Sequence, residues 1–314
     1  MNTGVKITAF AAAVAATFGA AYGVGTAADP IKQDPQPAAH AAHDKPSAPE
    51  RKSSQGDATP AGLQVSEAGY TLDLKTPRVA AGEESELRFA VRDQQGRQVT
   101  SFQREHDKEL HLILASRDLV TYRHLHPTRA SDGTWSTPVT LPTAGSYRVF
   151  ADFTPAVGNA TNLTLGADLA ASGSYKAVSL PAPAASSTVD GYTVTLNGDL
   201  TPGKTSGVTL GVSRNGRPVT DLQPYLGAYG HLVALRSGDL AYLHVHPNGE
   251  PGDGTTKPGP GISFSTTVPS AGSYRLFLDF KHNGTVRTAA FTVQTGKSAT
   301  PETADTEEGG AHQH

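Results

Sequence analysis

The chain has 314 residues, enough for two domains that each bury a core, and a formal net charge of -3. Charged residues make up 18% of it without a basic excess, which excludes an electrostatic nucleic-acid footprint. Cysteine is absent and Met1 is the single methionine, which excludes disulfides, thiolate and thioether metal sites, cysteine nucleophiles and a cysteine-linked lipid anchor. A metal site in this chain must draw on His, Asp, Glu, Tyr or backbone.

At the N-terminus Lys6 precedes an uncharged stretch, residues 7–28, that ends in small residues suited to cleavage near Ala27 or Ala28. Its length also suits one membrane span. Residues 1–28 are therefore expected to be a signal peptide or a membrane anchor. Either one makes the protein exported, secreted or held at the extracytoplasmic face. Residues 29–62, running "DPIKQDPQPAAHAAHDKPSAPERKSSQGDATPA" and on, hold almost no large apolar side chain, so they read as a disordered linker, with His40 and His43 solvated.

Strand signals then follow in order: "YTLDLK", "ELRFAVR", "HLILAS", "VTYRHLH", "TWSTPVTL", "SYRVFADF" and "NLTLGADL". They are short and β-prone, and Gly, Asp, Asn or Pro punctuates them, with no helical period sustained for three turns. The pattern then repeats. "HLILASRDLVTYRHLHP" (111–127) aligns with "HLVALRSGDLAYLHVHP" (231–247) at an offset of 120, with six identities in seventeen positions. "LPTAGSYRVFADF" (141–153) aligns with "VPSAGSYRLFLDF" (268–280), with nine identities in thirteen, at an offset of 127. Copy two thus carries a seven-residue insertion in "NGEPGDGTTKPGPG". The predicted fold class is all-β: two tandem immunoglobulin-like β-sandwiches, residues 63–180 and 187–295, joined by a linker at 181–186. Residues 296–314, ending "GGAHQH", read as a disordered tail.

The duplicated hairpin carries the chemistry. An even-numbered turn centred on Arg117 and Asp118 sets His111 across from His124, and one centred on Ser237 and Gly238 sets His231 across from His244. Directly opposed residues share a sheet face, as do residues two apart on one strand. Each copy is therefore expected to gather three imidazoles on one face: His111, His124 and His126 in the first, His231, His244 and His246 in the second. Tyr122 and Tyr242 fall on those same faces. Three imidazoles so placed can converge on one ion at about 2.0–2.1 Å each. Without sulfur they favour a divalent transition metal, Cu(II) first, then Zn(II) or Ni(II). Asp152 and Asp279, from "FADF" and "FLDF", are candidate fourth ligands, as is water. The competing reading is structural: His111 and His231 sit in apolar runs, where hydrogen-bonded core histidines occur, and a His-Pro at a strand end can simply close a turn. An odd-numbered turn would turn His111 to the opposite face. His106 and His282 read as surface residues without a role.

Enzymatic templates fit poorly. The HxH of JAMM-type deubiquitinases needs a Ser and an Asp downstream, where the copies hold Thr134 and Thr137, and Gly254 and Lys257. The first cupin motif is met by Gly238, His244, His246 and Glu250, but Lys257 replaces its last glycine and the second motif is missing. A cupin-like metalloenzyme stays a minor alternative.

The strings "LGAYGHLVALRSGDLAYLHVHP" and "KELHLILASRDLVTYRHLHP", with "GTWSTPVTLPTAGSYRVFADF" after the latter, resemble a group of exported actinobacterial proteins. Their modules are similar to YtkA-like and CopC-like β-sandwiches that handle heavy metals, especially copper. Over residues 65–295 the resemblance implies an immunoglobulin-like fold and an extracytoplasmic metal role for His231, His244 and His246, and for His111, His124 and His126. The chain departs from typical copper carriers in lacking Met-rich segments, which argues against Cu(I) transfer. The expectation is a non-enzymatic, exported metal-binding protein whose partner is the metal ion, with membrane attachment through the anchor and no nucleic-acid partner. The alternative is a structural or partner-binding tandem module whose histidines pack the hairpin.

Overall fold

The computed structural model describes residues 59–296, excluding His244 and, for His246, everything beyond the backbone. The apolar segment 1–28, most of the expected linker and the tail lie outside the described residues. Within them no helix is long and apolar enough to cross a membrane. All of their regular structure is strand, and the fold is two immunoglobulin-like sandwiches in tandem.

Module one comprises β1 (Ser66–Glu67), β2 (Tyr70–Leu74), β3 (Arg78–Ala80), β4 (Glu84–Arg92), β5 (His111–Ser116), β6 (Tyr122–Leu125), β7 (Thr128–Arg129), β8 (Thr134–Thr140), β9 (Gly145–Phe153) and β10 (Leu163–Ser172). One sheet runs β1-β2-β4-β8-β7 and the other β3-β10-β9-β5-β6. Module two comprises β11 (Ser186–Val189), β12 (Tyr192–Asn197), β13 (Thr205–Arg214), β14 (Arg217–Pro218), β15 (Gly230–Arg236), β16 (Tyr242–Leu243), β17 (His246–Pro247), β18 (Gly261–Thr267), β19 (Gly272–His282) and β20 (Thr285–Thr295). Its sheets run β11-β12-β13-β18-β17, with β14 on β13, and β16-β15-β19-β20.

Strands β13 and β18 alternate buried and more exposed residues, as expected of sheets with one solvated face. Strand β5 is different: all six of its residues are buried. Leu112 and Leu114 enter the core of module one, while Ile113 and Ala115 point the other way into a separate apolar cluster. In module two, Leu232 and Ala234 face the module core and Val233 and Leu235 face that same second cluster. The second cluster is the interface between modules. It brings Ile113, Ala115, Tyr122 and Phe150 against Val233, Leu235, Tyr242 and Phe277. Tyr122 stacks on Phe277 with ring centroids 4.1 Å apart, and Phe150 meets Tyr242 at 5.7 Å. Tyr122 and Tyr242 occupy equivalent places in the two copies, as do Phe150 and Phe277. The modules therefore meet through the same patch on each, the logic of an isologous dimer built into one chain.

The segment just before β1 takes part in this packing. Ala61 accepts a hydrogen bond from the Tyr242 backbone N–H (2.9 Å), and Gly62 donates to the Thr164 carbonyl (2.8 Å). His282, expected at the surface, is buried at the end of β19, where its Nδ1 lies 2.7 Å from the Tyr192 hydroxyl and its Nε2 3.0 Å from Asp221.

Candidate metal centre

The β5–β6 hairpin closes with Ser116 and Thr121, which leaves a four-residue turn with Leu119 at φ 58°. Cα partners on β5 and β6 sum to 237 (Ile113 opposite His124) rather than the expected 235. The shift is two residues, so parity survives and His124 and His126 stay on the face of His111. That face is the one turned towards module two, because His111 shares it with Ile113 and Ala115. Ligand nitrogens of His111, His124 and His126 all lie within 4.8 Å of one another, the single such group among the described residues.

After His126 the chain leaves this sheet, and β7 pairs with β8 in the other. In both copies HxHP marks that crossing, but in copy two it comes two residues earlier. Pairing of β15 with β16 ends at Leu243, and His246 pairs with Ser265 of β18. The His246 backbone therefore pairs in the sheet opposite the one that carries His231. The early crossing adjoins the seven-residue insertion that follows β17. His244 lies outside the described residues, as does the His246 side chain.

Strand β15 instead presents His231 to the histidines of module one. Its ring centroid is 5.4 Å from that of His111 and 5.2 Å from that of His124. Asp279, directly across from His231 on β19, lies behind His124, with Oδ2 2.9 Å from Nδ1. The side chains of His124 and Asp279 are each only 3% exposed. Asp279 also accepts from the Thr288 hydroxyl at 2.6 Å. Asp152, across from His111 on β9, accepts from Asn162 at 2.7 Å. Asp279 thus backs a ring through the nitrogen opposite the one that faces His111.

The hydrogen-bond partners fix the tautomers. Asp279 is an acceptor, so the proton of neutral His124 is on Nδ1 and its Nε2 carries a lone pair. The Glu105 carbonyl lies 3.2 Å from His111 Nε2 and is also only an acceptor, so the proton of neutral His111 is on Nε2. With both rings neutral, His111 Nδ1 and His124 Nε2 face each other 3.1 Å apart as two lone pairs. A cation between them, or a proton shared by them, would resolve this arrangement. Two nitrogens each about 2.0–2.1 Å from one ion stand about 2.9–3.4 Å apart for bond angles between 90° and tetrahedral. Drawing His126 onto the same ion requires the group, whose ligand nitrogens lie within 4.8 Å of one another, to contract by up to about 1.4–1.9 Å.

Burial favours the neutral rings that such binding requires. It pushes His111 down to about 3, reinforced by neighbouring His124, and His126 down to about 4. It drives His231 well below the usual histidine range, with His124 and His111 adding to the effect. Burial likewise raises Tyr122, Tyr242 and, to about 12, Tyr225, and after burial the largest contribution comes from Asp279 for Tyr122 and Tyr225 and from Asp152 for Tyr242. The Tyr122 hydroxyl is close enough to Asp279 to feel its charge without meeting good hydrogen-bond geometry.

Two further neighbours stand beside the cluster, His106, expected at the surface without a role, and Tyr225, which the sequence did not single out. His106 is exposed at the tip of a tight turn (φ 49°), with its ring 5.2 Å from that of His231 and 6.2 Å from that of His111. The matching turn of module two brings Tyr225 to 6.5 Å from His124 and 6.1 Å from His126. In both turns the outer residues form a bridge, Glu105 with Lys108 and Tyr225 with Ala228. That shared turn geometry was not apparent in the letters, because "EHDK" and "YLGA" have nothing in common.

Fold and site together define a tandem immunoglobulin-like protein with an imidazole cluster where its two modules meet. The family model of a domain of unknown function, DUF8832, matches residues 64–168 and 187–297, and the chain belongs to that family, which it carries twice. A search of curated proteins gave no match. Among solved structures, the Lin-41 filamin domain is 13% identical over 34% of this chain and 97% of its own, with a TM-score of 0.22. Invasin, a bacterial integrin-binding protein, is 14% identical over 74% of this chain and 41% of its own (TM-score 0.22). A chimeric titin Z1Z2 tandem is 13% identical over 72% and 97% (TM-score 0.19).

Proposed function

We propose that the chain is an extracytoplasmic protein that binds a divalent transition metal, Cu(II) in first place and Zn(II) in second, without catalysing a reaction. The observation that carries this reading is the pair of bare nitrogens, His111 Nδ1 and His124 Nε2, 3.1 Å apart with their outer nitrogens committed to acceptors. Carboxylate behind an imidazole is the usual outer arrangement at metal-binding histidines, since it sets the tautomer and raises the basicity of the ligating nitrogen. An all-imidazole donor set with no sulfur suits Cu(II) and Zn(II), with Cu(II) bound more tightly at a given site. The export expected from residues 1–28 and the sequence resemblance to copper-handling sandwiches agree with the same reading.

A structural reading draws on the same geometry. A proton shared between the two rings would also relieve the facing lone pairs, and the cluster would then be a buried imidazolium–carboxylate staple beside the inter-module core. Titration of Cu(II) and Zn(II) into wild type and a His111→Gln/His124→Gln/His126→Gln variant separates the two. Saturable binding that the variant loses is the expected result. Unchanged stoichiometry in the variant, or no binding by wild type, removes the metal reading.

A further inference from the structure

We infer that the centre is shared between the modules, with His231 of module two as the fourth imidazole on the ion held by His111, His124 and His126. One ion then ties module two to module one. This rests on the metal-binding reading and adds to it the second module's contribution.

Three observations carry the inference. First, both ring nitrogens of His231 are buried, and neither has a hydrogen-bond partner. Native interiors pair nearly all such groups, and a ring left doubly unpaired calls for a partner such as a water or an ion. His126 Nε2 is in the same condition. Second, five of the six ring pairs stand at, or up to about 0.2 Å beyond, the spacing of imidazoles around one centre. Rings bound through nitrogen at about 2.0–2.1 Å have centroids about 3.2 Å from the ion, hence about 4.5–5.3 Å from one another. The observed centroid separations are 5.3 Å for His111–His124, 5.5 Å for His111–His126, 4.9 Å for His124–His126, 5.4 Å for His111–His231 and 5.2 Å for His124–His231. Third, His231 and Asp279 are cross-strand partners on β15 and β19, and Asp279 already reaches over to orient His124. The same rung of module two that fixes one ligand thus supplies the next. The nitrogens of His231 stand outside the tighter group of three, so its ring turns towards the ion on binding, while His106 at the exposed turn packs beside it.

The test uses the full chain loaded with half an equivalent of Cu(II), so that only the tightest site fills. Pulsed EPR counts the imidazoles on the ion, and competition against a chelator gives affinity. Wild type, His231→Phe (which keeps a ring against His111) and His231→Gln are compared. The expected result is four imidazoles in wild type and three in each variant, with affinity lowered at least tenfold. A count of three in wild type, or variants that keep the wild-type count and affinity within twofold, overturns the shared centre and leaves the metal reading standing. Failure of wild type to bind Cu(II) takes down both. Because the wild-type count decides by itself, a variant that fails to fold does not blunt the test.

Discussion

Asp279, a candidate fourth ligand from the sequence, instead backs His124 in the structure, so replacing it with Asn probes the outer layer of the centre. Asp279 Oδ2 accepts the Nδ1–H of His124 at 2.9 Å, with both side chains 3% exposed, so the bond is charge-assisted and dry. An amide oxygen still accepts that proton, but the charge that raises the basicity of Nε2 is gone. Loss of such an outer partner costs about 10- to 100-fold in metal affinity, which is about 1.4–2.7 kcal/mol. The structural reading makes a different forecast for the same variant. A buried imidazolium that loses its carboxylate destabilises the apo-protein by about 3–5 kcal/mol. Competition titrations with Cu(II) and Zn(II), run beside urea unfolding of the apo-protein, measure both quantities. Asp279→Asn affinity within twofold of wild type would refute the claim that the Asp279 charge strengthens His124 as a ligand, and an unfolding loss near 4 kcal/mol with no metal uptake would point to the staple.

The lowered His111 value sets a pH dependence. A histidine held neutral in the fold at about 3 and titrating near 6.5 when unfolded makes the unfolded chain bind more protons between those values. Stability is therefore complete above about pH 6.5 and falls as pH drops, by about 1.4 kcal/mol per unit for this ring. Apo-protein unfolded in urea should lose about 2 kcal/mol from this source between pH 7.5 and 5, and His111→Gln should flatten the slope; an equal slope in that variant contradicts the assignment. Phe277→Ala removes the ring stacked on Tyr122 and should cost about 3–5 kcal/mol, with unfolding split into two transitions as the modules uncouple. A single transition at wild-type stability would mean the interface contributes little. Gly62 has φ +75°, and a Cβ there would meet the Phe150 ring at 2.6 Å and Tyr242 Cβ at 3.0 Å. Gly62→Ala should therefore lower the melting temperature through strain and overpacking worth about 1–3 kcal/mol, and an unchanged melting temperature would show that the segment before β1 yields freely.

Much of the fold was legible because it is written twice. Alternation and turn residues located the strands, and the duplication divided the chain into two sandwiches. Parity put His111, His124 and His126 on one face, and that survived a register shift of two residues because side chains alternate with period two. Periodicity identifies a face but not what covers it. The sign that the face is covered lay in "HLILAS" and "HLVALR", apolar on both sides where a half-solvated strand would alternate. Ile113 and Ala115 beside His111, and Val233 and Leu235 beside His231, would be out of place against water. The sequence also treated the copies as independent and so divided the histidines by copy, whereas packing brought His231 and Asp279 across to the first three. The different crossing of β17 had no local signal beyond the insertion that follows it. His106 reads as a surface residue because no histidine matches it in copy two, yet the turn that carries it recurs there with other residues.

Crystals of the full chain soaked with Cu(II) or Zn(II), with diffraction recorded at the metal's absorption edge, test the central claim most directly. The account predicts an anomalous peak between His111 Nδ1 and His124 Nε2, about 2.0–2.1 Å from each, with His126 drawn in. A map with no peak between those two nitrogens, in a crystal that takes up metal elsewhere, would contradict it.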